Sequence, residues 1–101
     1  MTIDFQQLRF EFPSTTGRSQ NATLAAVFSS NVLRADTAIN SFNIGFTRQD
    51  HHLFRAEVHC DALIQANTVH VTVTFALRDS SGFFDDPYEG YVFVLVLVER
   101  E

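Results

Sequence analysis

The sequence predicts an all-β fold, a small antiparallel sandwich or partly open barrel of five to six strands. Three observations carry that expectation. Apolar and polar residues alternate with a period of two through residues 38–47, 53–61 and 68–77. These runs are rich in β-branched and aromatic residues. No stretch is long enough to serve as the helical crossover that a parallel sheet requires. With 101 residues, 46% hydrophobic and 19% charged, the chain has material for one core, so residues 1–101 are expected to form a single antiparallel β domain.

Residues 3–12 open the series. Phe10 and Phe12 share one face, Asp4 interrupts that face near its start, and Ile3 and Phe5 occupy the other. A bulge between Phe5 and Leu8 would reconcile the two halves. Pro13 lacks an N–H and is expected to end the pairing. The polar stretch 14–21, with Gly17, reads as a loop. Residues 22–29 read as a strand, with a short helix capped by Asn21 or Thr23 as the competing assignment. Residues 31–37 read as a connection with room for one helical turn.

The second half is patterned more clearly. Ala38, Phe42, Ile44 and Phe46 share a face opposite Ile39, Ser41, Asn43, Gly45 and Thr47. After the polar turn 48–52, Phe54, Ala56, Val58 and Cys60 point inward, with Arg55, Glu57, His59 and Asp61 outward. Following a short connection around 65–67, Val69, Val71, Val73, Phe75 and Leu77 form the next inner row. Residues 91–98 are apolar on both faces, with Phe93, Leu95 and Leu97 on one and Val92, Val94, Val96 and Val98 on the other. A strand wet on one face does not have this composition, so either the fold or another subunit must cover both. Read as a meander, the last four strands place the 48–52 turn and the long 78–91 connection at one end.

Charge and composition narrow the function classes. The net charge is -5, the seven basic residues are all arginine, and they are dispersed. That balance argues against nucleic acid or an anionic membrane as partner. Cys60 is the only cysteine, so no intrachain disulfide forms. The start of the chain lacks the basic and apolar regions of a signal peptide, and no apolar run approaches a membrane span. These features lead to a cytoplasmic expectation.

The candidate ligand-binding residues lie in two connections. Segment 78–91 carries Asp79, Asp85, Asp86 and Glu89 together with Phe83, Phe84, Tyr88 and Tyr91. Its carboxylates are hard oxygen ligands suited to calcium, although the spacing is not that of an EF-hand. Phe84 and Tyr88 beside Asp79, Asp85, Asp86 and Glu89 match a sugar-binding surface, where rings stack on C–H groups and carboxylates accept from hydroxyls. The plainer alternative is an acidic loop with a phenylalanine folded back into the core. Asp50 and His52, with His51, form the second polar cluster, and a His59/His70 pair across neighbouring strands is the remaining metal option. His59 and Cys60 are neighbours on a strand and point to opposite faces, which rules them out as a nucleophile–base pair. No Gly-x-Ser-x-Gly elbow, zinc-protease helix motif or phosphate-binding glycine loop is present.

The leading expectation is a non-enzymatic β-domain without a cofactor, self-assembling as a homo-oligomer or binding another protein. Its first alternative is a carbohydrate-binding, lectin-like module, calcium-assisted in one version, using the 79–91 loop. Its second is a small metal-dependent enzyme built on Asp50, His51 and His52.

Overall fold

The computed structural model describes residues 1–47, 53–79 and 86–101. Among these every element is a strand: β1 (Thr2–Thr15), β2 (Gln20–Val27), β3 (Val32–Phe46), β4 (Leu53–Gln65), β5 (Thr68–Asp79) and β6 (Tyr88–Arg100). They form two antiparallel three-stranded sheets, ordered β1–β6–β3 and β2–β5–β4, packed as an open sandwich. We refer to them by their central strands as the β6 sheet and the β5 sheet. At the two sides, β1 lies against β2 and β3 against β4.

Alternation explains the core. Val92, Val94, Val96 and Val98 of β6 face the same interior as Val69, Val71, Val73, Phe75 and Leu77 of β5, and all are buried. Each such side chain contributes about 1.5–3 kcal/mol relative to exposure. Inner positions on the edge strands, among them Leu24, Ile39, Phe42 and Ile64, stay substantially exposed. The interior is therefore narrow and open along its sides. The molecule is also long, 50 × 19 × 17 Å, with a radius of gyration of 15.8 Å, against about 13 Å for a compact chain of this length.

Aromatic rings tie the sheets together at one end. Phe12 of β1 stacks on Phe75 of β5 with ring centroids 4.5 Å apart and planes 4° from parallel. Tyr88 of β6 lies 5.8 Å from Phe75 on the same inner surface. Gly90 leaves the space they need, since a Cβ there would sit 1.9 Å from the Asn43 carbonyl oxygen and 2.9 Å from Phe75 Cζ.

At the opposite end β4 and β5 are joined by Ala66 and Asn67 alone, with Gln65 paired to Thr68. Ala66 takes a positive φ of 54°, at the first central position of a two-residue hairpin turn, where glycine is favoured. This turn holds the β2–β3 connection: Phe28 N–H donates to Asn67 O at 2.8 Å and Val32 N–H to Ala66 O at 2.9 Å. Asn67 Nδ2 returns a bond to Phe28 O at 3.0 Å.

Several sequence expectations are corrected. β1 pairs with β6 in unbroken register from Thr2 to Phe12, so no bulge separates Phe5 from Leu8. Ile3 and Phe5 are instead on the outer face, and Asp4, on the inner face, meets Arg100 at its open end. Pro13 falls in a register shift, but β1 continues beyond it and Thr15 pairs with Tyr88. Residues 32–37 belong to β3 and are not a connection. A second shift, between Ile39 and Ser41, inserts Asn40 and reverses the expected faces on one side: Ile39 faces inward opposite Val94, and Ala38 outward opposite Leu95. The meander is also overturned, because β3 pairs with β6 and not with β4.

Candidate functional site

Strand polarity places the flanks of the two sequence-derived connections at one end even without a meander. Phe46 at the end of β3 pairs with Tyr88 at the start of β6, and Leu53 at the start of β4 pairs with Asp79 at the end of β5. Thr47 N–H donates to Pro87 O at 2.9 Å, joining the flanks of both connections. Asp50, His52, Phe84 and Asp85 lie outside the described residues, and Asp79 closes β5. Asp86 is half-buried and Glu89 exposed.

Tyr88 requires a correction. Its side chain is fully buried, at 0% exposure, and its hydroxyl points to the Phe75 carbonyl oxygen at 3.5 Å. Burial pushes its phenol above the ordinary tyrosine range. A ring packed in this way cannot stack on a sugar. Tyr88 thus plugs this end of the core, while Phe83 and Phe84, for which the sequence suggests that role, lie outside the described residues.

The histidine pair is corrected as well. His59 lies opposite Thr74 and His70 opposite Leu63, so the register separates them. His59 instead stands 3.6 Å from Glu57, and His70 bonds Gln65 at 3.1 Å. Among the described residues, no group of three His, Cys, Asp or Glu side chains is placed to hold a metal ion. Cys60 faces the interior, and burial, then the charge of Asp61, raises its thiol pKa.

What the strands do bring together is an apolar outer face on the β6 sheet. The ladder sets Phe5, Leu97 and Asp36 in one row, then Gln7, Leu95 and Ala38, then Arg9, Phe93 and Ser41, then Glu11, Tyr91 and Asn43. Ile3 adds to the patch at its terminal end. Ile3 and Phe5 are 67% and 65% exposed and Leu97 is 40% exposed. Tyr91, Phe93 and Leu95 are half-buried. Tyr91 and Phe93 meet edge to face at 5.5 Å, and the Arg9 guanidinium lies over both rings, at 4.8 and 5.3 Å.

Charged residues of both signs border this patch. Arg9 pairs with Glu11 on β1, and Arg34 pairs with Glu99 at 2.8 Å across β3 and β6. Near the loop end a groove of about 560 Å³ runs past Glu11, Pro13, Asn43, Gly45, Glu89 and Tyr91.

The outer face of the β5 sheet is more polar along its central strand, although Val27 and Leu63 on its edge strands are exposed. Its central strand presents Thr68, His70, Thr72, Thr74 and Ala76, and Thr72 hydrogen-bonds Thr23 of β2 at 2.8 Å. The same positions on β6 hold Tyr91, Phe93, Leu95 and Leu97. Sequence reading found the second apolar row of β6 but missed that Ile3 and Phe5 extend it. The signal was present in their parity opposite Phe10 and Phe12, and only the register distinguishes two apolar faces from one bulged face.

Comparison with protein-family models, curated proteins and solved structures finds no match to this chain. Among the described residues, no helix is long and apolar enough to cross a membrane.

Proposed function

We propose that this protein is a non-catalytic β module that assembles with copies of itself through the outer face of the β6 sheet. The observation that carries the reading is the contrast between the two central strands, threonine-rich and polar outside on β5, aromatic and leucine-rich outside on β6. Leaving Ile3, Phe5 and Leu97 in water is unfavourable by about 25 cal/mol per Å² of apolar surface. A patch continuous over several rows marks an interaction site, whereas scattered apolar residues do not.

A second copy suits the face for two reasons. Three strands about 4.8 Å apart, with a central strand of 13 residues rising about 3.3 Å each, make a face of roughly 600 Å², so that a pair buries about 1,200 Å², the lower end of specific interfaces. Its margins carry both signs, Arg9 with Glu11 on β1 and Arg34 with Glu99 opposite. Two-fold rotation therefore brings apolar rows together without setting one uniformly charged rim against another. Replacing Phe5 or Leu97 by glutamate, followed by sedimentation equilibrium, tests the reading: the variants form smaller species than wild type at matched concentration while retaining the β signature in circular dichroism.

The groove beside Tyr91 favours a second reading, binding of a hydroxyl-rich ligand such as a glycan. Glu11 and Glu89 supply acceptors, Asn43 an amide, and Tyr91 a partly exposed ring. It transfers the carbohydrate expectation from Tyr88 to Tyr91 while retaining Glu89. A glycan array run with and without calcium, comparing the protein with Glu89→Gln, tests it; a bound glycan lost in the variant supports this reading, and an empty array removes it.

A further inference from the structure

We propose that β4 is a separate docking element, pairing along the edge that has no ladder partner, antiparallel, with β4 of a second copy in a register centred on Val58. Four strands form the edges of the two sheets, and they differ in how far each discourages pairing. β1 contains Pro13 and a register shift, β2 has only 8 residues, and β3 is shifted twice. β4 carries one shift at its start, between Leu53 and Arg55, then pairs with β5 unbroken from Arg55 to Gln65, and it contains neither proline nor glycine. Its outward N–H and C=O groups thus form a regular template.

Charge selects the partner and the register. The outer row of β4 reads Arg55, Glu57, His59 and Asp61. A two-fold axis perpendicular to the sheet matches residues of equal parity, so only a few registers exist. With Val58 on the axis, Arg55 faces Asp61 of the second copy and Glu57 faces its His59, each contact occurring twice by symmetry. Centring on Glu57 opposes two carboxylates, and centring on His59 sets Glu57 against Asp61. Centring on Cys60 keeps His59 opposite Asp61 but faces Arg55 with Gln65 and Glu57 with Leu63. Centring on Ala56 opposes Arg55 with Glu57 but overlaps only residues 53–59, whereas the Val58 register overlaps 53–63 and satisfies all four charged positions. Opposite charges directly across strands stabilise a sheet and like charges oppose it.

The monomer supplies a reason for Arg55 to accept another acid. Within the ladder it lies opposite Arg78, and Glu57 contacts both Arg55, at 3.2 Å, and His59, at 3.6 Å. On the inner row the proposed register opposes Ala56 with Cys60 and Val58 with itself, all small enough for close approach. This contact does not rest on the β6 face, which lies on the other sheet.

Ala56→Cys tests the register by disulfide trapping. Directly opposed residues have Cα atoms about 4.5–5.5 Å apart, within the range a disulfide spans. Along one strand, residues 56 and 60 are roughly 13 Å apart, so no bond can close within a chain. Oxidation of Ala56→Cys at mildly alkaline pH, where the Cys60 thiol ionises, should give a reducible dimer on a non-reducing gel, absent from wild type and from the control Ala62→Cys, whose thiol faces residue 54. Adding Arg55→Asp should abolish the dimer, and adding Asp61→Arg to that chain should restore it. A chain carrying Val58→Cys and Cys60→Ser reports on the same axis through self-opposed thiols. Repeating the trapping with Leu97→Glu separates this contact from the β6 face: the dimer should persist there even if assembly through that face is lost. Equal trapping at positions 56 and 62, trapping indifferent to Arg55→Asp, or no dimer from either cysteine design in folded protein would overturn the proposal.

Discussion

Arg100 Nε donates to Asp4 Oδ2 at 3.0 Å, joining the last strand to the first where the interior opens at the terminal end. Arg100 also reaches Ser30 Oγ, at 3.1 Å, so the same guanidinium holds the β2–β3 connection. The bond from Arg100, then that from the Phe5 backbone N–H, lowers the Asp4 pKa below its ordinary 3.8.

The sign of the resulting pH effect follows directly. A depressed folded-state pKa adds stability that is fully present above the unfolded value and is lost as pH falls through the folded value. Urea midpoints of wild type and Asp4→Asn should therefore differ at neutral pH and converge as pH falls below 3.8. A gap that persists unchanged into acid would contradict the assignment. Asp4 is at the surface, so the gap should be small.

Gly90 should tolerate no side chain. The methyl group of Gly90→Ala would overlap the Asn43 carbonyl and press on Phe75, moving the stack that links the sheets. Overpacking of this kind costs about 1–3 kcal/mol. Urea unfolding should report a loss in that range or larger; a change of less than about 0.5 kcal/mol, typical of an unconstrained surface position, would mean that the backbones are farther apart than described.

Ala66→Gly should act in the opposite direction. At a φ of 54° alanine bears a Cβ penalty that glycine avoids. Part of that relief is offset by the greater freedom of glycine in the unfolded chain. The expected net gain is about 0.5–1 kcal/mol, seen as a raised unfolding midpoint with an unchanged denaturant slope.

The fold was legible where side chains alternate without interruption. Val69 through Leu77 read as an inward valine-rich row and are buried, whereas the sequence shows two apolar rows on residues 91–98 without deciding which faces the interior, and the structure gives that place to Val92 through Val98. Asn40 was not legible, because one inserted residue changes facing only through hydrogen bonding to a neighbouring strand. Neither was the pairing of β3 with β6, a contact between segments distant in sequence. Tyr88 looked like a loop residue beside Pro87 and Glu89, although it opens β6 and its position opposite Thr15 and Phe46 buries it. The candidate face was half legible: Phe93, Leu95 and Leu97 were evident, while Ile3, Phe5 and Arg9 joined them only through the β1–β6 register.

Cys60 should react slowly. Its raised pKa keeps it a neutral thiol under conditions where an exposed cysteine is partly ionised. Iodoacetamide should alkylate the native protein more slowly than the urea-unfolded chain near neutral pH, with the rate rising toward the alkaline range. Equal rates in both states would place the thiol in water.

Sedimentation equilibrium over a wide range of protein concentration, comparing wild type with a chain carrying Phe5→Glu and Leu97→Glu, tests the central claim most directly. The edge contact through β4 is removed from both samples by Arg55→Asp. A wild-type face that self-associates gives a mass rising with concentration to a closed oligomer, and the glutamate chain stays at the 11.4 kDa monomer with its β structure intact. A monomeric mass at every concentration for both chains would contradict assembly through the β6 face.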